Sequence, residues 1–125
     1  MALLVGDFLG ETEKTERAMR AISAEGALGE LVLIADPIEE VYPFSGNVEF
    51  LHPAGGVRLV SPRAQSLREA YLGLLTAHRE ALRQICARLG WSMYLHRTDA
   101  SAAEVLLGLR VRLSTPEFGG EIRSA

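Results

Sequence analysis

The run Leu31-Val32-Leu33-Ile34-Ala35 constrains this chain more than any other stretch. It is apolar without alternation, the pattern of a strand covered on both faces rather than one with a wet side. Asp36 and Pro37 end it, because proline has no amide proton to give to a ladder. A doubly covered strand needs helices above and below it and other strands beside it. The flanking sequence supplies helical patterns on both sides. The expectation is an α/β protein of three layers, a small parallel sheet flanked by helices.

The totals narrow the class. At 125 residues the chain is one domain, able to bury roughly two-thirds of its unfolded surface. With 48% apolar and 23% charged residues it is not a disordered segment. Acidic residues exceed basic ones by 16 to 13, so no basic face for nucleic acid is expected. Cys86 is the sole cysteine, which excludes an internal disulfide and a cysteine-based zinc cluster and fits a reducing, cytoplasmic setting. No apolar run approaches the ~20 residues needed to cross a bilayer. Met1 to Gly6 is too short and lacks the basic region of a signal peptide. It reads instead as a strand that opens almost at the first residue, a hint that sequence is missing upstream.

In chain order, Leu3 to Val5 form the first strand and Gly6-Asp7-Phe8-Leu9-Gly10 a turn. A helix with an acidic start (Glu11, Glu13, Glu16) follows, and Gly26 stands where a C-terminal glycine belongs. After the central strand, Glu39 to Gly46 reads as a crossing loop. Val48 to His52 and Val57 to Val60 flank Pro53-Ala54-Gly55-Gly56 as an inserted β-hairpin. Ser61 and Pro62 suggest an N-cap and first turn for a long helix running to Gly90. Its apolar stripe is Leu67, Tyr71, Leu74, His78, Leu82, Ile85 and Leu89. Trp91 to His96 is a third strand. Ser101 to Glu104 is a capping box opening a last helix, with Val105, Leu106, Leu109 and Leu113 as its buried side. Residues 1–114 are thus one α/β domain and 115–125 a flexible tail. Strands joined through helices run parallel, and one sheet edge is expected to lie open.

Ligands of open parallel sheets collect beyond the carboxyl ends of the strands. That edge carries Asp7, Asp36, Glu39, His96 and Asp99. Asp7 is a candidate ligand for a hard cation such as magnesium, or else a turn-forming aspartate. Asp36 and Glu39 are a candidate carboxylate pair, or a strand-ending turn. Asp99-Ala100-Ser101-Ala102-Ala103 compares with an Asp-x-Ser-x-Ser metal loop, its last serine replaced by Ala103. His96 lacks a partnered nucleophile in sequence, and His78 and Cys86 read as packed helix residues. One reading is therefore a small flavodoxin-like enzyme or ligand-binding domain acting at these strand ends.

Taken together, several segments resemble a known family. Leu4-Val5-Gly6-Asp7-Phe8-Leu9, Asp36-Pro37-Ile38-Glu39, Tyr42-Pro43-Phe44-Ser45-Gly46, Arg68-Glu69-Ala70-Tyr71, Ala77-His78-Arg79, Leu89-Gly90-Trp91 and His96-Arg97-Thr98-Asp99 are similar to domain-of-unknown-function family fifty-eight. The resemblance extends to about Leu113. It implies the carboxyl-terminal half of a von Willebrand factor A-like, Rossmann-like fold, with no catalytic residues. It also implies a bacterial adaptor or chaperone partner of a MoxR-type AAA+ ATPase, membrane-associated if at all through parts of a parent protein. Such folds hold a divalent cation on three loops, and only Asp7 has a counterpart here, so no cofactor is expected in this chain. Without the upstream half, the first strand would offer unpaired backbone groups, and a homo-oligomer joined through that edge is expected.

Overall fold

The computed structural model describes residues 1–41, 48–51, 58–61, 64–114 and 122–124. Strand β1 (Ala2–Gly6) leads through helix α1 (Thr12–Ala24) to β2 (Gly29–Ala35). A short helix α2 (Pro37–Val41) precedes the hairpin strands β3 (Val48–Leu51) and β4 (Arg58–Ser61). Helix α3 (Ala64–Leu89), strand β5 (Ser92–Arg97), helix α4 (Ala102–Ser114) and strand β6 (Ile122–Ser124) complete the order. The main sheet runs β1-β2-β5-β6, all parallel, and β3 and β4 form a separate antiparallel pair. The fold is α/β, as the apolar run demanded.

β2 is central, paired with β1 from Ala2–Gly29 to Gly6–Leu33 and with β5 from Glu30–Ser92 to Ala35–Arg97. Its side chains divide by parity, as a pleated strand requires. Leu31 and Leu33 enter one core with Met19 of α1, Leu82, Ile85 and Cys86 of α3, and Trp91 and Met93. Val32 and Ile34 enter a second, smaller core with Tyr94 of β5 and Val105 and Leu109 of α4. Two helices therefore cover one face of the sheet and one helix covers the other.

The first face is tightly closed. Trp91 is wholly buried, and its indole Nε1–H donates to Ser23 Oγ at 2.9 Å, joining the start of β5 to the end of α1. Its ring lies against Gly29, where a Cβ would come within 2.5 Å of it, so only glycine fits that approach. Gly26 has φ +78 and its N–H donates to the Ser23 carbonyl at 2.9 Å, the expected helix stop. Glu16 on α1 accepts from Arg20 at 2.6 Å and from Arg88 of α3 at 3.2 Å, tying the two helices together at the surface.

Several local expectations need correction. Where a crossing loop was expected from Glu39, the chain first makes α2, because Asp36 and Glu39 cap a turn that Pro37 opens. Ser61 is the last residue of β4 rather than a helix cap, and α3 begins at Ala64. The hairpin turn and Pro62 lie outside the described residues. On α3, Leu74 is 73% exposed and Leu75 turns inward, because 3.6 residues per turn drifts from the counted steps. On α4, Leu106 and Leu113 are exposed while Arg112 is buried. The main sheet has four strands, not three. Within the segment expected to be a flexible tail, Ile122–Ser124 pairs with Met93–Leu95 of β5, gaining ladder bonds that its composition did not advertise. The remaining tail residues, 115–121 and 125, lie outside the described residues.

Candidate functional site

Three loops meet the carboxyl edge of the sheet. After β2, Asp36 caps α2: its Oδ1 accepts from the Ile38 amide at 2.9 Å, and the Glu39 carboxylate accepts from the Asp36 amide at 3.4 Å. This is a reciprocal cap, two carboxylates satisfying the orphan amides of a helix start. Asp36 Oδ2 accepts from the Thr98 hydroxyl at 3.0 Å, and the Thr98 amide donates to the Ala35 carbonyl at 2.9 Å. The loops after β2 and β5 are thereby fastened into one surface. Asp99 accepts from Arg97 at 3.1 Å, and Ser101 caps α4 by accepting from the Ala103 amide at 3.3 Å.

Asp7 stands apart from these. Its Oδ1 accepts from the Leu9 amide at 3.1 Å, shaping the turn after β1, and its side chain is exposed. Phe8 in that turn has φ 50, and its carbonyl meets His78 Nε2 at 2.5 Å. His78 thus holds the turn against α3, the packed and hydrogen-bonded role its place on the helix stripe suggested. β1 ends at Gly6 opposite Leu33, two levels below Ala35, so the Asp7 and Asp36 turns are staggered. Among the described residues no three His, Cys, Asp or Glu side chains form a group able to hold a metal ion. The donor set that a divalent cation needs is therefore not assembled around Asp7 from the described residues.

His96 faces the other way, onto the sheet face that α4 covers. It is buried, and its Nδ1 finds no hydrogen-bond partner among the described residues. With Leu3, Val5, Val32, Ile34, Val105 and Leu106 it lines a groove of about 210 Å³. Cys86 is sealed in the first core, and burial pushes its thiol up to about 11. It is a packing residue with no access to a reactant.

The feature that pattern reading missed lies at the opposite edge. Arg112 Nε donates to Glu30 Oε1 at 3.1 Å with both side chains buried, and the guanidinium sits 4.9 Å from the centre of the Tyr94 ring. The pair pins the end of α4 to the start of β2. Its only signal in sequence is an acid opening an apolar strand and an arginine inside an apolar helix face.

α4 itself is unusual. It buries Val105, Leu109 and Arg112, yet it leaves Leu106, Leu107 and Val111 exposed at 65%, 62% and 65%. A helix apolar on its outer side as well as its inner side normally has cover on both. Comparisons with protein-family models, curated proteins and solved structures return no match for this chain. Among the described residues no helix is long and apolar enough to cross a membrane.

Proposed function

We propose that this chain is a non-catalytic protein-binding or adaptor module, corresponding to the carboxyl-terminal half of a von Willebrand factor A-like domain. The observation that carries this reading is the outer ridge of α4. Leu106, Leu107 and Val111 are presented to solvent on a helix already anchored from within by Val105, Leu109 and the Glu30–Arg112 pair. Burying such side chains contributes roughly 1.5–3 kcal/mol each, enough for a specific contact once a partner covers them. The sequence resemblance supplies the partner class, a MoxR-type AAA+ ATPase. A divalent cation would belong to the parent domain, with Asp7 as one ligand.

The test is a titration of the chain against such an ATPase by biolayer interferometry. Saturable binding is expected, weakened at least tenfold by Leu107→Lys with Val111→Lys and unchanged by His96→Ala. Binding indifferent to the α4 substitutions, or no binding, would refute the reading.

A second reading, a small flavodoxin-like enzyme or ligand-binding domain working at the strand ends, is favoured by one observation. His96 is buried beside an open groove with Nδ1 unpartnered among the described residues. An activity or ligand affinity lost in His96→Ala, with ATPase binding untouched by the α4 pair, would favour it.

A further inference from the structure

We infer that the outer edge of β5 is a docking site for an extended segment of a partner protein, and that β6 is a built-in occupant which such a segment displaces. The site lies on the far side of β5 from β2 and apart from the α4 ridge. It stands whether or not that ridge binds an ATPase.

The ladder shows how lightly β6 is held. The Thr98 amide donates to the Ala35 carbonyl at 2.9 Å, so the backbone of Thr98 faces β2. Backbone direction alternates along a strand, so Ser92, Tyr94 and His96 face β2 as well, and Met93, Leu95 and Arg97 face away from it. Arg123 is in register with Tyr94, between Met93 and Leu95. Its amide therefore donates to the Met93 carbonyl, and its carbonyl accepts from the Leu95 amide. The same alternation turns the backbones of Ile122 and Ser124 outward. Of the three described residues of β6, one ties the strand to the sheet, whereas β2 pairs with β5 along all six positions from Ser92 to Arg97.

The register also sets what fits the edge better. On β5, Met93 lies in the first core, Leu95 packs against it, and Tyr94 is buried in the second. Residues in register on neighbouring strands share a face of the sheet, so an added strand meets an apolar neighbour at each of these positions. β6 puts isoleucine opposite Met93, but arginine opposite Tyr94 and serine opposite Leu95. Strands roofed by helices on both faces are apolar throughout, as Leu31 to Ala35 of β2 are. A segment with aliphatic residues at the two polar positions gains burial that β6 forgoes. The partner is thereby specified: an extended peptide, parallel to β5, apolar opposite Tyr94 and Leu95. Its main chain supplies the hydrogen bonds of strand addition and its side chains the selectivity.

The test uses the whole chain and a fluorescein-labelled peptide of residues 119–125 carrying Arg123→Val and Ser124→Ile. Fluorescence anisotropy should show saturable binding. The unsubstituted peptide should bind about tenfold or more weakly, and a peptide with Arg123→Pro, which lacks the inward-facing amide, should not bind. A tethered tail competes at an effective concentration of roughly millimolar, so a chain carrying Arg123→Pro should take the labelled peptide about tenfold or more tightly than the unsubstituted chain. Amide exchange locates the event with no substitution in the chain: on peptide binding the chain's Arg123 amide should lose protection while the Leu95 amide keeps it. No binding at about 1 mM peptide, equal binding of the proline peptide, or equal affinity of the two chains would overturn the proposal. So would an Arg123 amide still protected at saturation. A chain that doubles in mass and then excludes the peptide would show two copies exchanging β6, and would overturn the assignment to a partner. Peptide capture without ATPase binding would end the α4 reading and leave this one, and the reverse result would end this one alone.

Discussion

Replacing Arg112 by methionine keeps a long apolar side chain at the site and removes the charge. Glu30 then stays in the second core with no cation beside it. The side chains of this pair are only 8% and 3% exposed, so solvent screens their interaction little. Removing one member of a buried pair typically costs about 3–5 kcal/mol, because the survivor's desolvation is no longer offset. The lost contact with the Tyr94 face adds up to about 1–2 kcal/mol, and methionine packing against the same ring recovers part of it. A net loss of about 4 kcal/mol is expected. Against a total stability of roughly 5–15 kcal/mol for a domain, that is a quarter or more of the whole.

The assay is urea denaturation at one low protein concentration, so that self-association does not enter the midpoint. Arg112→Met should lower the midpoint at unchanged slope. Adding Glu30→Leu should restore most of the loss, since a well-packed apolar pair is often as stable as the ion pair it replaces. A loss below about 1 kcal/mol for the single variant would show that Glu30 reaches water or another cation. A double variant no better than the single would show that the cost comes from packing rather than from unpaired charge.

Gly29→Ala should cost about 1–3 kcal/mol and alter the near-ultraviolet dichroism of Trp91, because the new methyl would sit 2.5 Å from the indole ring; a cost below about 0.5 kcal/mol would mean the ring shifts freely. Cys86 should resist a disulfide reagent at about pH 8 in the folded chain and react only as the chain unfolds, and prompt labelling would contradict its burial. Its folded value of about 11 lies above the ordinary 9.0. The linked stability is therefore complete below about pH 9 and falls as pH rises toward 11, because only the unfolded thiol ionises readily there.

Legibility in the sequence follows the range of the interaction. The unbroken apolar run of β2 declared its central place because two-sided burial leaves no room for alternation. Gly26, Asp36 and Pro37 declared their turns because backbone geometry and capping act within four residues. Glu39 three residues after Asp36 was visible as a carboxylate pair, though not as the reciprocal cap it forms. Longer-range features were hidden. Arg112 is buried only because Glu30 and the Tyr94 ring, remote in sequence, receive its charge, and its aliphatic stem packs like an apolar side chain. Counting apolar steps along α4 therefore put Leu113 on the buried side and did not count Arg112 there. β6 has no alternation of its own, and it is a strand only because β5 offers it a free edge.

The two faces of the sheet differ by a count of helices. Neighbouring strands lie ~4.8 Å apart and a helix with its side chains is ~10 Å across, so one helix roofs about two strands. α1 and α3 together span β1, β2 and β5, and the core beneath them holds Met19, Leu31, Leu82 and Trp91 at full burial. On the reverse, α4 is the one described helix, roofing β2 and β5 through Val32, Tyr94, Val105 and Leu109. Among the described residues no further helix remains to roof β1 on that face. Leu3 and Val5 are left bare on its outer pleat, and the groove opens between them and Leu106. The exposed ridge of α4 has the same origin, since among the described residues no helix lies beside it in its layer. Groove and ridge are thus two consequences of one shortfall in a single described helical layer. A partner that lays apolar cover beside α4 acts on that shortfall directly.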